Sequence, residues 1–361
     1  MNTAWIQFLH ALPPARSELK PNETGWLVLP QRASIRVAGD EAADFLQAML
    51  TQDILALSPA KASRSALCNA KGRILSLLMV HPEQTPHGLA FHLTVPQDLR
   101  ADLFKILKLY VLRRKVTLTL EDDWGFIGLI NPTSSLLEAL AIGHQSPAPQ
   151  QQIALLGGLI ASGEHQAGNL RLSIQGPLTA LAVIAERITP LIPTPVTQAV
   201  WDCAEIHDGL PEIHRATYLQ FVPQWINLDH LSAVSFKKGC YPGQEVIARL
   251  HYLGKSNRRM IMGHTPHPQL LPAGTLIYLA NQPDTEVGEI VRSAWCESGE
   301  FSAQQFLAVI RLNHAHDALV VEQHPCVLYP SPFVENPPAG IDALLLEGSS
   351  LGRLDDEQRF P

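Results

Sequence analysis

At 361 residues the chain is long enough for two or three domains with full hydrophobic cores, which excludes a peptide hormone, a lone binding finger and a fibre. Hydrophobic residues make up 46% and charged residues 17%, a composition for a compact soluble protein rather than for disorder. The balance of 27 basic against 34 acidic side chains gives a net charge of -7, which argues against charge-driven binding to nucleic acid or to an anionic membrane.

In chain order, the apolar run at 5–12 lacks the leading positive charges and long apolar region of a signal peptide and is expected as a docking helix. At 34–50, alternating Ile35 and Val37 pass through Gly39 and Asp40 into helical spacing, with Asp40 placed to cap the helix. Strands at 64–68 and 73–80 flank Asn69-Ala70-Lys71-Gly72, turn chemistry for a β-hairpin. A strand at 92–95, a helix opened by Pro96 and running to about Tyr110, and alternation at 115–120 follow. The strand-Gly-helix unit recurs at 170–188, with Pro177 at the junction, and suggests a duplicated α+β module. Short alternating segments at 274–280, 287–296, 306–312 and 325–329 predict a small antiparallel barrel. Beyond it, prolines and surplus acid predict a loosely packed tail.

The domain boundaries expected from this pattern are 22–130 and 131–262 for the two α+β modules, 263–330 for the barrel and 331–361 for the tail. No stretch approaches the roughly 20 apolar residues that span a bilayer, so no membrane association is expected. The five cysteines, Cys68, Cys203, Cys240, Cys296 and Cys326, are odd in number and widely spaced without a C-x-x-C pair. That spacing suggests neither a disulfide framework nor a structural zinc site, and a reducing cytoplasm is the expected compartment. His264-x-x-His267 lies in a Pro-rich stretch without a third ligand nearby, so no metal is predicted.

The most informative stretch runs from Phe236 to Arg249. Gly239 and Pro242-Gly243 make turns on either side of Cys240, and 244–250 reads as the first turns of a helix. Cys240 thus stands in a tight loop before a helix N-terminus with Lys237 and Lys238 beside it, and both features favour a thiolate. Lys237, Lys238, Arg249, Lys255, Arg258 and Arg259 face only Glu245 between 237 and 259, a local charge reversal that reads either as an anion-binding patch or as a solvated face.

Lys-Gly-Cys-Tyr-Pro-Gly-Gln-Glu at 238–245, followed by Ala248-Arg249, resembles the signature of the YgfZ family of folate-binding proteins, relatives of the glycine-cleavage T-protein. The stretches at 220–228, 234–236 and 254–259, the hairpin at 69–73 and the barrel phrase at 286–293 resemble family features as well. The resemblance implies an aminomethyltransferase-like α+β fold, with duplicated ferredoxin-like modules and a C-terminal β-barrel around a central pocket for tetrahydrofolate. It implies an accessory role in sustaining iron-sulfur enzymes, including those that thiolate tRNA, with those enzymes or their assembly factors as partners and no direct RNA binding. The alternative is a folate-dependent, aminomethyl-like one-carbon transferase.

In that picture Cys240 is the reactive group, Lys238 favours its thiolate, and Tyr241 stacks on a flat ring. Gly243, Gln244 and Glu245 shape the loop or ligand site, and Arg249, Lys255, Arg258 and Arg259 meet the anionic end of a folate or a polyanionic partner. Two departures from the family pattern stand out. Leu75-Ser76-Leu77 occupies the place of the T-protein's paired aspartates, and Ser76 has no pKa useful for acid-base work near neutrality, which counts against the transferase. His207 stands where relatives carry a pterin-reading glutamate, with Asp208 next to it as a possible substitute.

Overall fold

The structure is a computed structural model that describes residues 3–20, 22–164, 170–254, 256–298 and 301–331. Lys255 and the expected tail beyond Ser331 lie outside the described residues. Helix α1 (Thr3–Ala11) matches the expected docking helix, with Trp5 buried and stacked on Phe8 at 5.6 Å. After β1 (Gly25–Val28) come β2 (Arg32–Ala38), α2 (Ala42–Met49), β3 (Ser63–Cys68), β4 (Ile74–Thr85), β5 (Gly88–Pro96), α3 (Arg100–Val111) and β6 (Thr117–Leu120).

Strands β2 to β6 form one antiparallel sheet in the order β3-β4-β5-β2-β6. Ile35 and Val37 point into its core, and α2 covers that face with Ala42, Phe45, Leu46 and Met49, three or four positions apart as a helical stripe requires. Two local expectations are corrected. Asp40 does not cap α2: Glu41 occupies the cap position without a side-chain bond, and Asp40 Oδ2 instead faces Lys115 Nζ at 3.4 Å. Pro96 does not open α3, because β5 pairs with β2 through Arg32 and Pro96, and the helix starts only at Arg100. A proline is tolerated there as a strand end needs no donor.

The second sheet contains β7 (Trp124–Ile130), β8 (Gln152–Leu155), β9 (Leu159–Gly163) and β10 (Arg171–Pro177), joined by α4 (Ser134–Ala139) and followed by α5 (Leu178–Ile188). Its order is β1-β7-β10-β9-β8. The first sheet is therefore inserted between two neighbouring strands of the second, and the boundary expected at residue 130 does not separate the sheets. The reason is register: β1 pairs with β7 from Gly25 opposite Ile130 to Val28 opposite Ile127.

Helix α6 (Gln198–His207) leads into a long irregular segment that ends in α7 (Gln244–Tyr252). The barrel follows as β11 (Arg258–Thr265), β12 (Leu276–Leu279), β13 (Gln282–Ser298), β14 (Phe301–Arg311), β15 (Leu319–Val321) and β16 (His324–Leu328). It closes in the order β11-β14-β13-β12-β15-β16, with β16 back on β11, and it begins at Arg258 rather than at 263. One core joins the first sheet, the 206–247 segment and the barrel face carrying Met260, Val291, Leu307 and Val309. Cys203 on α6 and Cys296 on β13 form a disulfide with α-carbons 5.7 Å apart, which corrects the reading of the cysteines as unpaired. Their 93-residue separation hides the pairing from the sequence. Among the described residues no helix is long and apolar enough to cross a membrane.

Candidate functional site

Where the two sheets, α6 and the barrel converge lies a cleft of about 660 Å³, counting its mouth open to solvent. Leu77, Met79, Val95, Leu228, Leu231 and Ala233 supply apolar wall, and one edge is charged: Arg32, Arg64, Glu164, Glu205, Glu212 and Arg292. A buried carboxylate survives only when paired, and the pairs are present. Arg32 grips Glu164 through two bonds, of 2.6 and 2.8 Å, and reaches Glu205 at 2.9 Å. Arg292 meets Glu205 at 2.7 Å and Asp202 at 2.8 Å. Fully buried Arg171 meets Asp208 at 2.5 Å and Glu205 at 3.4 Å.

Burial alone would raise the Glu205 carboxyl, but Arg292, Arg32 and Arg171 together hold it far below the ordinary range. Burial would likewise lower Arg32, which Glu164 and Glu205 instead keep above its ordinary value. Arg171 opens β10 beside Leu172 and Arg292 follows Val291 in β13, both buried, and a charge at an inward strand position is the signal that sequence reading passed over.

The segment that lines the cleft with Leu228, Leu231 and Ala233 continues directly into the Cys240 loop. Lys238 anchors that loop: its ammonium donates to the carbonyls of Gln47, Leu50 and Gln52 at 2.5, 2.6 and 2.8 Å, around the C-terminus of α2. Cations at a helix C-terminus satisfy carbonyls the helix leaves open. Burial lowers the Lys238 ammonium to about 8, with Asp53 opposing the shift. Gln244 Nε2 donates to the carbonyls of Lys238 and Gly239, closing the turn. Gly243 has φ +83° and caps α7, and Tyr241 is buried in the core beneath the Lys238 ammonium, 5.3 Å from its ring centre. Cys240 is exposed at the tip.

The hairpin meets this loop. Asn69 Oδ1 accepts from the backbone of Lys71 and Arg73 at 2.9 Å each, and the resulting tight turn lets Gly72 pack on Val246 and Ile247. Both sequence motifs thus form one substructure.

The other expected site residues scatter. Lys237, Glu245 and Arg249 are exposed. Arg258 and Arg73 each stack on Trp225, at 4.8 and 4.9 Å. Arg259 is held by Asp229 at 2.7 and 2.9 Å and by the Gln224 carbonyl, so the basic patch is partly internal structure. His207 does not line the cleft: its Nε2 lies 2.5 Å from Gln305 Oε1 of the barrel, and burial lowers its pKa. Asp208 is committed to Arg171. The stretch 75–77 places Leu77 in the cleft wall, while Ser76 Oγ donates to the Leu77 carbonyl at 2.7 Å. Among the described residues no three His, Cys, Asp or Glu side chains gather as a metal site requires.

The fold is that of an aminomethyltransferase. The glycine cleavage system aminomethyltransferase T of Bartonella henselae superposes with a TM-score of 0.68 over 92% of this chain and 90% of its own, at 16% identity. No family model matches the chain. A tRNA-modifying protein YgfZ from Colwellia psychrerythraea is 28% identical over 310 residues, covering 83% of this chain and 92% of that protein. Another tRNA-modifying protein YgfZ, from Sodalis glossinidius, is 30% identical over 254 residues, covering 65% of this chain and 70% of that protein. The chain belongs to the YgfZ family.

Proposed function

We propose that the protein is a tetrahydrofolate-binding accessory factor that supports iron-sulfur enzymes, those that thiolate tRNA included, and works through Cys240. The observation that carries this reading is one continuous segment, 228–245, which lines the cleft at one end and holds an exposed cysteine at the other. Ligand in the cleft and chemistry at the thiol are thereby mechanically joined. The curated relatives are named for tRNA modification, which supports the client class.

The cleft suits a flat heterocycle. Leu77, Met79, Leu228 and Leu231 offer apolar faces, and the charged edge offers both donors and acceptors. A tetrahydrofolate held there would supply a one-carbon carrier. The protein's own part is to orient that ligand and to exclude water from its ring. Lys237 and Arg249, exposed near the loop, are suited to an anionic partner or the folate tail. A cytoplasmic setting belongs to this proposal; there a Cys203–Cys296 disulfide would form only against a reducing pool.

The test is complementation of cells lacking the protein, with thiolated tRNA nucleosides quantified by mass spectrometry. Cys240→Ala is expected to abolish rescue while melting like the wild type. Full rescue by Cys240→Ala would remove the assigned role of the thiol. Absence of tetrahydrofolate binding in calorimetry would remove the ligand.

A further inference from the structure

Helix α3 packs at the end of its sheet, away from the cleft. Strand β6 pairs with β2 and ends the order β3-β4-β5-β2-β6, so among the described residues its outer edge has no partner strand. Between α3 and β6 lies a groove of about 1330 Å³, counting its mouth open to solvent, which shares no lining residue with the cleft. Phe104, Val111, Val116 and Leu118 are only half-buried along it, and beside them Leu109 and Leu112 are 74% and 85% exposed. An open strand edge next to an apolar groove is a place that folded proteins cover. The surroundings are cationic. From Leu103 to Leu120 the chain carries Lys105, Lys108, Arg113, Arg114 and Lys115 and no acid, in a protein of net charge -7. Lys105 reaches Asp102 only at 4.0 Å and Lys115 reaches Asp40 at 3.4 Å, while Lys108, Arg113 and Arg114 form no ion pair among the described residues.

An occupant that fits is extended, apolar and acidic, and this chain carries such a segment outside the described residues. Ile341-Asp342-Ala343-Leu344-Leu345-Leu346-Glu347 stands between Gly340 and Gly348, a short apolar run bounded as a strand is. Around it Glu335, Asp355, Asp356 and Glu357 outnumber Arg353 and Arg359. Reach is sufficient. Tyr329, two positions before the last described residue, Ser331, shares one core with Leu103 and Leu107 of α3. The stretch 332–340 spans about 30 Å when extended, against a radius of gyration of about 20 Å for a chain of this length. We infer that segment 341–347 docks in the α3–β6 groove of its own chain as a further strand on β6. Main-chain bonds to the open edge supply the attachment, the leucines fill the groove, and Asp342 and Glu347 meet unpaired cations such as Lys108 and Arg113. The inference is independent of the folate reading.

Hydrogen exchange of the full-length protein, read by mass spectrometry, tests this. The comparison is wild type against Leu344→Asp/Leu346→Asp, a change outside every described element, with thermal melts to show that the fold is kept. The wild type is expected to protect both 341–347 and the β6 amides at 117–120, and the double variant to exchange about 10-fold faster at both. Loss at β6 is the decisive readout, because nothing in β6 has been altered. Lys108→Glu/Arg113→Glu in the groove is expected to lose the same protection, and Glu347→Lys added to it to restore part, since reversing both signs rebuilds an attraction. Dilution should leave the protection unchanged, as docking within one chain requires.

Equal exchange at 117–120 in the wild type and in Leu344→Asp/Leu346→Asp overturns the inference. Protection that rises with concentration, together with a dimer in sedimentation, assigns the groove to a second copy and overturns it too. So does binding to phosphatidylserine vesicles that Lys108→Glu/Arg113→Glu abolishes while 341–347 exchanges freely, which gives the groove to an anionic membrane.

Discussion

Gly243 lies against the backbone of Gly72, so close that a Cβ on Gly243 would fall 2.6 Å from the Gly72 α-carbon and 2.6 Å from the Asn69 carbonyl oxygen. Its φ of +83° adds a second reason for glycine. Gly243→Ala is therefore expected to destabilise the protein by about 2 kcal/mol or more, seen as a lower urea midpoint. Gly239→Ala, at a site with nothing within 4 Å, is the matched control and should leave the midpoint unchanged. Equal midpoints for the two variants would contradict this packing.

Lys238 has a structural task. Replacing it by Met removes three charge-assisted bonds to carbonyls around the end of α2, and a loss of about 3 kcal/mol is expected, discounted for the partial exposure of the site. The comparison that matters is with Cys240→Ala, which touches no such bond. Lys238→Met should lower the melting temperature by several degrees and Cys240→Ala should not.

The charge cluster fixes a pH dependence. Burial pushes Glu205 and Glu164 upward, but their arginines win, and both carboxyls sit below the ordinary 4.5 in the folded protein. A depressed carboxyl contributes stability that is complete above its unfolded value and lost as the pH falls below it. Stability should thus decline from about pH 4.5 downward. Glu205→Gln leaves three arginines short of a partner and should cost about 3–5 kcal/mol at pH 7. Its denaturation midpoint should also fall less steeply below pH 4.5 than that of the wild type.

Thiol accounting tests the disulfide. With Cys203 and Cys296 joined, Cys68, Cys240 and Cys326 remain as thiols, and of these only Cys240 is exposed. Native alkylation of oxidised protein should label one site, and denatured alkylation three. Reduction opens a loop spanning 93 positions, for which the loop-entropy relation gives about 4–5 kcal/mol as an upper estimate. Five labelled cysteines in oxidised, denatured protein would show that the pair does not form.

The parts legible in the sequence are those fixed by neighbours along the chain. Asn69 and Gly72 announce the hairpin because the turn needs their chemistry, and Gly243 with Gln244 announces the start of α7. The barrel follows from alternation alone. The charged side of the cleft was not legible, because Arg32, Arg64, Glu164, Glu205 and Arg292 come from strands and a helix far apart in sequence. Helical phase explains His207. Two residues along α6 turn the side chain by about 200°, so Glu205 lines the cleft while His207 meets Gln305 on the barrel.

The pairing of β1 with β7 has a consequence for synthesis. Val28 and Ile127 are opposite one another, so the whole first sheet hangs from the ends of what is in effect a two-stranded stem. A ribosome delivers β1 long before its partner. The first sheet can assemble as soon as β6 emerges, whereas β1 waits for β7 and the strands after it. Excising 22–130 would therefore leave β1 and β7 without β10, and the severed remainder with an unpaired edge on β10.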